Sequence, residues 1–323
     1  MNDDVRRAVV VGAGAMGSGI AAQLANAGVE VWLLDVVPEG ETTDRSRLAR
    51  EAIACQVKSA GFMLPVFADR VTPGNVIDDV ASYTTADWVI EAVFEDLAVK
   101  RDLYATIERH RGADTMVTSN TSTIPLAQLV EGRDPGFVAH FGIAHFFNPP
   151  RQMPLLEVVA GPDTDPAVVE RLITAGDHQL GKTVLRCRDT PGFLANRIGN
   201  FWMAVAASEA LRGGVGIETA DAVMTRHFGT PRTGVFGLFD LVGINLVPLI
   251  DVVLCLLIFF VVTTTFDARS VLKLELPRAD GQPAQAGTQP LGILINADGV
   301  RFMDYEWGGF RDASLDVAFG LAT

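Results

Sequence analysis

Short apolar runs alternate with helical stretches along residues 1 to about 188. Runs typical of buried strands lie at residues 8–11, 31–35, 87–93 and 115–120. Stretches typical of helices lie between or beyond these runs, at residues 15–27, 97–110 and 163–180. Because this alternation is the pattern of an open parallel α/β sheet, we predict a doubly wound sheet for this part of the chain.

The pattern changes after about residue 189. Residues 193–211 predict a long and mostly apolar helix, and residues 218–227 predict a shorter one. No strand pattern separates these two segments. We therefore predict a short all-helical second domain.

A third pattern begins near residue 244. Residues 246–264 are almost wholly apolar and contain one charged residue, Asp251, and one proline, Pro248. A run of this length is typical of a transmembrane helix, and a buried core helix is the alternative. Residues 278–290 have the Ala, Gly, Gln and Pro content of a linker, and residues 291–296 predict a strand.

Three glycines follow the first predicted strand in the spacing G-x-G-x-x-G. Gly12 allows a tight turn, Gly14 lets the backbone approach a pyrophosphate, and Gly17 lets the following helix pack closely. The second predicted strand ends at Asp35, where a carboxylate can bind a ribose 2′-hydroxyl and would repel a 2′-phosphate. The strand–turn–helix–strand context predicts a dinucleotide site, for NAD rather than NADP; an ordinary glycine-rich turn is the alternative.

Composition narrows the classes of function. The net charge of −13 argues against nucleic acid as a partner. The three cysteines, Cys55, Cys187 and Cys255, lie far apart with no metal-ligand spacing and no disulfide framework. We expect a reducing compartment and no metal. The first residues lack a secretory signal pattern, so we expect a cytoplasmic catalytic part.

A histidine and a glutamate lie at equal distances from Arg151, at the centre of a proline-rich turn. If the apolar segments on either side pair as antiparallel strands, His145 and Glu157 are brought together. A histidine whose second ring nitrogen is held by a carboxylate is a positioned general base, although a purely structural pair is the alternative.

Five ordered motifs resemble those of the 3-hydroxyacyl-CoA dehydrogenase family. The resemblance covers about residues 5–243. The motifs are GAGAMG at 12–17, EAVFEDL at 91–97, SNTST at 119–123, HFFNP at 145–149 and DTPGFLANR at 189–197.

This resemblance implies NAD-dependent oxidation of 3-hydroxyacyl-CoA, with an acyl-CoA substrate and a homodimer formed by the helical domain. His145 would accept the proton of the 3-hydroxyl group, and Glu157 would orient and support the imidazolium. Ser122 and Asn196 would hydrogen-bond the reacting oxygen. Without the resemblance, Ser122 fits an ordinary loop serine and Asn196 fits a polar residue at a helix start.

The same resemblance implies a set of cofactor contacts. Besides Asp35, these are Gly12, Gly14, Met16, Gly17, Glu95, Lys100 and Asn120. A solvated helix position is the alternative for Lys100, and a strand-end cap is the alternative for Asn120.

The sequence departs from that family after residue 243 and resembles the ExbD/TolR biopolymer-transport family over about residues 244–323. In that family a membrane aspartate, here Asp251, takes part in proton-driven coupling. An ionisable group within a membrane span is costly and therefore suggests a function. A helix-start residue at the membrane interface is the alternative for Asp251.

Together, these patterns predict four regions. Residues 1–188 form a Rossmann-like NAD-binding domain, and residues 189–243 a truncated helical domain. Residues 244–266 form a single transmembrane helix that tethers the enzyme to a bacterial inner membrane, and residues 267–323 a linker and short α+β tail. The alternatives are a membrane subunit of a proton-driven transport complex, or an inactive hybrid joined near Gly243.

Overall fold

The computed structural model describes residues 4–228, 233–242, 293–296 and 299–302. The chain forms two units, residues 1–250 and residues 251–323, and each is described by itself. The predicted transmembrane segment at 244–266, with Asp251, lies outside the described residues. No helix in the described ranges is long and apolar enough to cross a membrane.

The first unit is built on one eight-stranded sheet with the strand order β3-β2-β1-β4-β5-β6-β7-β8. The strands are β1 (Arg7–Val11), β2 (Glu30–Asp35), β3 (Val71–Asn75), β4 (Trp88–Glu91), β5 (Met116–Ser119), β6 (Phe141–Phe146), β7 (Leu155–Ala160) and β8 (Thr183–Cys187). Strands β1 to β6 are parallel to one another, as the alternating pattern predicts.

The last two strands depart from the all-parallel prediction. Strand β7 is antiparallel to β6, and β8 is parallel to β7. A parallel neighbour needs a crossover of a dozen or more residues, whereas a short turn joins β6 to β7 and reverses the chain. The fold is therefore a Rossmann-like sheet with a reversed pair of strands at one edge.

Helices cover the sheet, and those predicted at 15–27 and 97–110 end close to their predicted limits. They are α1 (Ala15–Asn26), α2 (Arg47–Lys58), α3 (Leu97–His110), the short α4 (Leu126–Leu129) and α5 (Pro135–Ala139), and α6 (Pro166–Thr174). The predicted helix at 163–180 is divided, because α6 continues as a π-helical turn at Ala175–Gln179. Two 3₁₀ segments, Pro65–Arg70 and Val80–Thr85, complete the connections.

Both faces of the sheet are buried. Along β1, Ala8 and Val10 join one hydrophobic cluster, whereas Val9 and Val11 join the cluster on the other face. Period-two alternation between two apolar layers explains why these strands are continuous apolar runs. Because β1, β2, β4, β5 and β6 are parallel, their carboxyl ends lie at the same edge of the sheet.

Three helices follow the sheet: α7 (Ala195–Arg212), α8 (Ile217–Phe228) and α9 (Phe236–Val242). The two helices predicted at 193–211 and 218–227 are present. A small apolar cluster that includes Met203 and Phe239 holds α7 and α9 together. The second unit contains an antiparallel hairpin of β9 (Ile293–Asn296) and β10 (Gly299–Phe302), which includes the strand predicted at 291–296.

Candidate active site

The turn between β1 and α1 has the shape that its glycines predict. Gly12 has φ of +103°, and a Cβ atom there would lie 2.4 Å from the Ala92 carbonyl oxygen. A Cβ atom on Gly17 would lie 1.7 Å from the Gly12 carbonyl oxygen, so α1 approaches the turn as only glycine permits. Nothing lies within 4 Å of a Cβ placed on Gly14, which leaves open space above the start of α1.

Asp35 lies beside this turn at the end of β2. Its Oδ2 accepts a hydrogen bond from the Ala13 N–H (2.5 Å), and its Oδ1 accepts one from the Val36 N–H (2.7 Å). A carboxylate is thus held at the edge of the open space. The cradle and the acid together fit a dinucleotide whose ribose has free hydroxyls.

A cavity of about 290 Å³ adjoins the same turn. It contains five of the side chains that the sequence predicts to bind cofactor or substrate, and Ala92, Val93 and Thr123 complete its lining. The five are Met16, Glu95, Lys100, Asn120 and Ser122. Residues from the starts of α1 and α3 and from the loop after β5 therefore meet in one place.

Asn120 joins two of the elements around this cavity. Its Oδ1 accepts a hydrogen bond from the Phe146 N–H (2.9 Å), and its own N–H donates to the Glu91 carbonyl oxygen (2.7 Å). The end of β5 is thereby fixed to β4 and β6.

His145 and Glu157 face each other on the antiparallel pair β6–β7, as their spacing about the turn predicts. The His145 Nδ1 and Glu157 Oε2 atoms are 2.8 Å apart, and both residues are buried. The other ring nitrogen, Nε2, lies 3.3 Å from the Ser122 Oγ atom. Because an ionised Glu157 can only accept a hydrogen bond, the proton of the neutral ring lies on Nδ1, and Nε2 is left as an acceptor on the Ser122 side.

Glu157 also accepts hydrogen bonds from the start of α7. Its Oε1 accepts hydrogen bonds from the Leu194 N–H (3.0 Å) and the Ala195 N–H (2.8 Å). Burial opposes ionisation of Glu157, but the His145 contact and these two N–H groups outweigh it and lower the pKa of the carboxyl. The carboxylate therefore joins the histidine to the first helix after the sheet.

Asn196 lies in the first turn of α7, immediately after these donors. Within the described residues, it makes no hydrogen bond to Ser122 or His145. Phe147 and Phe193 pack edge-on against the imidazole, with ring centroids 4.6 and 5.5 Å away, and give His145 an apolar surround. Three of the four predicted catalytic side chains are thus in hydrogen-bonded contact, and Asn196 follows in the chain directly after the Ala195 N–H that donates to Glu157.

Comparison with known sequences identifies the family. Residues 7–190, more than half of the chain, match the family model of the 3-hydroxyacyl-CoA dehydrogenase NAD-binding domain. A probable 3-hydroxyacyl-CoA dehydrogenase of Deinococcus radiodurans is 38% identical over 245 residues, 75% of this chain and 70% of that protein. The chain belongs to the 3-hydroxyacyl-CoA dehydrogenase family. Its cofactor is NAD.

Some similar proteins are longer than this chain. A probable 3-hydroxyacyl-CoA dehydrogenase of Bacillus subtilis is 40% identical over 260 residues, which are 76% of this chain but 33% of that protein. The chain therefore spans about a third of the length of this relative. The crystal structure of 3-hydroxybutyryl-CoA dehydrogenase from Escherichia coli is 32% identical, with a TM-score of 0.62 over 74% of this chain and 49% of that one.

The matches of two family models overlap near the end of the helical region. The C-terminal domain of 3-hydroxyacyl-CoA dehydrogenase matches residues 192–256, and the biopolymer transport protein ExbD/TolR matches residues 240–316. Residues 240–256 belong to both matches. The change of pattern seen in the sequence near Gly243 falls within this overlap.

The structure places Lys100 in a different environment from the solvated helix position that is its alternative in the sequence. Lys100 is fully buried, so the interpretation of Lys100 as a solvated helix residue is wrong. Its Nζ lies 2.6 Å from Glu91, a wholly buried acid at the end of β4. An acid that ends an otherwise apolar strand, nine residues before a lysine, is the signal that could have suggested this pair.

Two further residues were not predicted. The buried Lys182 donates to the carbonyl oxygens of Pro150 and Met153 (2.5 and 2.8 Å) and so holds the turn between β6 and β7; burial lowers the pKa of its ammonium. The Cys187 thiol lies 3.6 Å from Glu157 Oε1. Burial and that carboxylate raise the pKa of the thiol to about 11, so it stays protonated.

Proposed function

We propose that this chain oxidises 3-hydroxyacyl-CoA to 3-oxoacyl-CoA with NAD as the hydride acceptor. The observation that carries the proposal is the position of His145: its Nδ1 is held by Glu157 and its Nε2 faces Ser122, at the edge of the cavity beside the glycine turn. A fixed base beside a dinucleotide cradle is the arrangement that alcohol oxidation requires.

In the proposed reaction, His145 Nε2 accepts the proton of the 3-hydroxyl group. Ser122 Oγ and the side chain of Asn196 hydrogen-bond the reacting oxygen and stabilise the charge that develops on it. Glu157 stabilises the imidazolium through Nδ1. Bound NAD supplies the acceptor for the hydride that leaves C3.

The cofactor is proposed to lie on the glycine turn, with its pyrophosphate at the start of α1 and a ribose at Asp35. Gly12, Gly14 and Gly17 provide the backbone surface. The nicotinamide end would enter the cavity lined by Met16, Glu95, Lys100, Asn120 and Ser122. The Asp35 carboxylate favours NAD over NADP because it would repel a 2′-phosphate.

Formation of NADH, followed by its absorbance, tests the activity. The purified full chain should reduce NAD with a 3-hydroxyacyl-CoA, and much less well with NADP. A chain that binds NAD but gives no NADH with short, medium or long 3-hydroxyacyl-CoA substrates would contradict the proposed activity and favour the inactive hybrid.

We further propose the domain limits 1–188 and 189–243, with a shortened helical domain that forms a homodimer. The exposed apolar side chains of α7 support a contact on one face of this helix: Ile198, Phe201 and Val205 are exposed and follow one another at spacings of three and four residues. Sedimentation of the purified chain at two concentrations tests this assembly, and a monomer at both would contradict it.

A second candidate function rests on the match of residues 240–316 to ExbD/TolR. We propose that residues 244–266 enter a bacterial inner membrane and keep the dehydrogenase part on the cytoplasmic side, with residues 267–323 as a partial tail. If Asp251 also takes part in proton-driven transport, the chain is a subunit of a membrane complex with a nucleotide-binding domain at its N-terminal end.

Fractionation of the full chain tests the membrane proposal. The chain should sediment with membranes and need detergent to become monodisperse. If it stays monodisperse in buffer without detergent, and Asp251→Leu changes nothing, the apolar run is a core segment and both membrane proposals are wrong.

A further inference from the structure

Phe193, in the turn before α7, has a backbone conformation that is rare for a bulky residue. Its φ is +46°, in the left-handed region that favours glycine. The Phe193 N–H closes the preceding turn by donating to the Thr190 carbonyl oxygen (2.9 Å), with Pro191 and Gly192 at the centre of the turn. A left-handed conformation of this kind is unfavourable and persists only where the surrounding contacts impose it. The contacts around Phe193 must therefore offset its cost.

The two residues after Phe193 turn their backbone N–H groups toward one carboxylate oxygen. The N–H groups of Leu194 and Ala195 donate to Glu157 Oε1 at 3.0 and 2.8 Å. Leu194 itself is right-handed, with φ of −106° and ψ of −56°. Successive N–H groups at a change of backbone handedness converge on a concavity that binds an anion. The left-handed backbone of Phe193 therefore directs both donors to Glu157.

The side chain of Phe193 contacts the other member of the His145–Glu157 pair. Its ring packs edge-on against the imidazole, with ring centroids 5.5 Å apart, and the residue is only 4% exposed. An apolar ring at this place keeps water away from the contact between His145 and Glu157, and electrostatic contacts are stronger where water is excluded. Phe193 thus acts on His145 with its ring and on Glu157 with its backbone.

We propose that Phe193 is a positioning residue: its left-handed backbone directs two N–H groups to Glu157, and its ring holds and covers the imidazole of His145. The inference rests on the proposed function of this pair. Phe193 does not line the cavity proposed for the nicotinamide end of the cofactor, so its effect should fall on proton transfer and not on NAD binding.

Three substitutions separate the ring from the backbone. Phe193→Gly removes the ring and favours the left-handed conformation. Phe193→Val keeps an apolar side chain but disfavours that conformation, because its Cβ is branched. Phe193→Leu, which is unbranched at Cβ, is the conservative variant. Phe193→Leu and Phe193→Val keep much of the apolar volume and carry the comparison if Phe193→Gly does not fold.

Steady-state kinetics test the role of the ring. Phe193→Gly should lower kcat about 10- to 100-fold, because the imidazole can tilt and water can reach it. The KM for 3-hydroxyacyl-CoA and the calorimetric affinity for NAD should each change less than about threefold, since only proton transfer is impaired. Phe193→Leu should keep kcat within about threefold of the parent, because it restores an apolar cover.

Amide hydrogen exchange tests the role of the backbone and is independent of turnover. The Leu194 and Ala195 N–H groups should exchange within about threefold of the parent rates in Phe193→Gly, and at least about tenfold faster in Phe193→Val, since exchange requires their hydrogen bonds to open. Ala60→Gly is the matched control. Ala60 also has a positive φ (+57°) but is exposed after the end of α2, so this change should alter neither kcat nor these exchange rates.

Three results would overturn the inference. The first is parent-like exchange of Leu194 and Ala195 in Phe193→Val, which would refute the backbone role. The second is a kcat of Phe193→Gly within about twofold of an active parent, which would refute the role of the ring. The third is a parallel loss of kcat, NAD affinity and Tm without rescue by Phe193→Leu, which would reduce Phe193 to a structural residue.

Failure of the proposed function would look different. If the parent chain forms no NADH but Leu194 and Ala195 exchange slowly in Phe193→Gly and rapidly in Phe193→Val, the proposed oxidation is wrong. The positioning of Glu157 by the Phe193 backbone would then stand.

Discussion

Glu157→Gln removes the negative charge of the buried Glu157 side chain and nearly keeps its shape, so it tests the role of the charge in this site. Glu157 is wholly buried and accepts from His145 Nδ1 on one oxygen and from the Leu194 and Ala195 N–H groups on the other. Glutamine has nearly the same shape but one oxygen fewer and no charge. In one orientation the amide NH₂ group faces the Leu194 and Ala195 N–H groups, and in the other it faces the Nδ1–H group of His145. A donor therefore faces a donor in both orientations.

The two orientations set the size of the effect. If the amide oxygen stays on His145, this contact loses only its charge, and a hydrogen bond to a charged group contributes about 1.5–3 kcal/mol, or roughly 10- to 100-fold in kcat. If the NH₂ group faces His145, the imidazole takes the tautomer with its proton on Nε2 and cannot accept the substrate proton, which can cost about 10⁴-fold. We expect a loss between these limits.

Stability should fall as well. With the NH₂ group toward α7, the Leu194 and Ala195 N–H groups lose their acceptor, and a buried unsatisfied donor costs about 1–3 kcal/mol. For a domain of this size, this corresponds to a decrease in Tm of roughly 2–12 °C. Affinity for NAD should be unchanged, since the proposed cofactor contacts lie elsewhere.

The pH dependence has a definite sign. The folded-state pKa of Glu157 is lowered, so its ionised form stabilises the fold fully above the unfolded-state pKa, and this contribution is lost as pH falls through the lower folded-state pKa. The difference in unfolding free energy between the parent and Glu157→Gln should therefore shrink on acidification.

Steady-state kinetics, calorimetry with NAD and thermal unfolding at several pH values are the assays for this substitution. Glu170→Gln, which removes an exposed carboxylate paired with Arg186, is the control and should change neither kcat nor Tm measurably. If Glu157→Gln retained kcat within about threefold of the parent, the support of His145 by this charge would be refuted.

Three further substitutions test other parts of the molecule. Asp35→Ala should weaken NAD binding and reduce its advantage over NADP, because the ribose acceptor and the repulsion of a 2′-phosphate are both lost; equal affinities of the parent chain for NAD and NADP in calorimetry would contradict this. His145→Gln should lower kcat by about 10²- to 10⁴-fold with NAD affinity retained, and a rate within a few-fold of the parent would exclude a general-base role. Tyr83→Phe should raise the unfolding free energy by about 1 kcal/mol in denaturant titrations, because the buried Tyr83 hydroxyl has no hydrogen-bond partner among the described residues; a decrease would show that the hydroxyl is satisfied.

The sequence by itself determined the features that depend on local pattern. The first strand, glycine turn, helix and second strand are predicted within a residue or two, because period-two and period-3.6 apolar patterns and a G-x-G-x-x-G turn are local signals. The meeting of His145 and Glu157 is likewise predictable, since both lie six residues from the centre of one turn.

Other features of the site are long-range, and only the tertiary structure decided them. Glu157 accepts from N–H groups 37 and 38 residues later in the chain, and no local pattern relates β7 to the start of α7. The burial of Lys100 between Glu91 and Glu95 has the same origin. On an amphipathic helix a lysine fits a solvated position, and only the packing of α3 against the ends of β4 and β5 makes it a buried counter-charge.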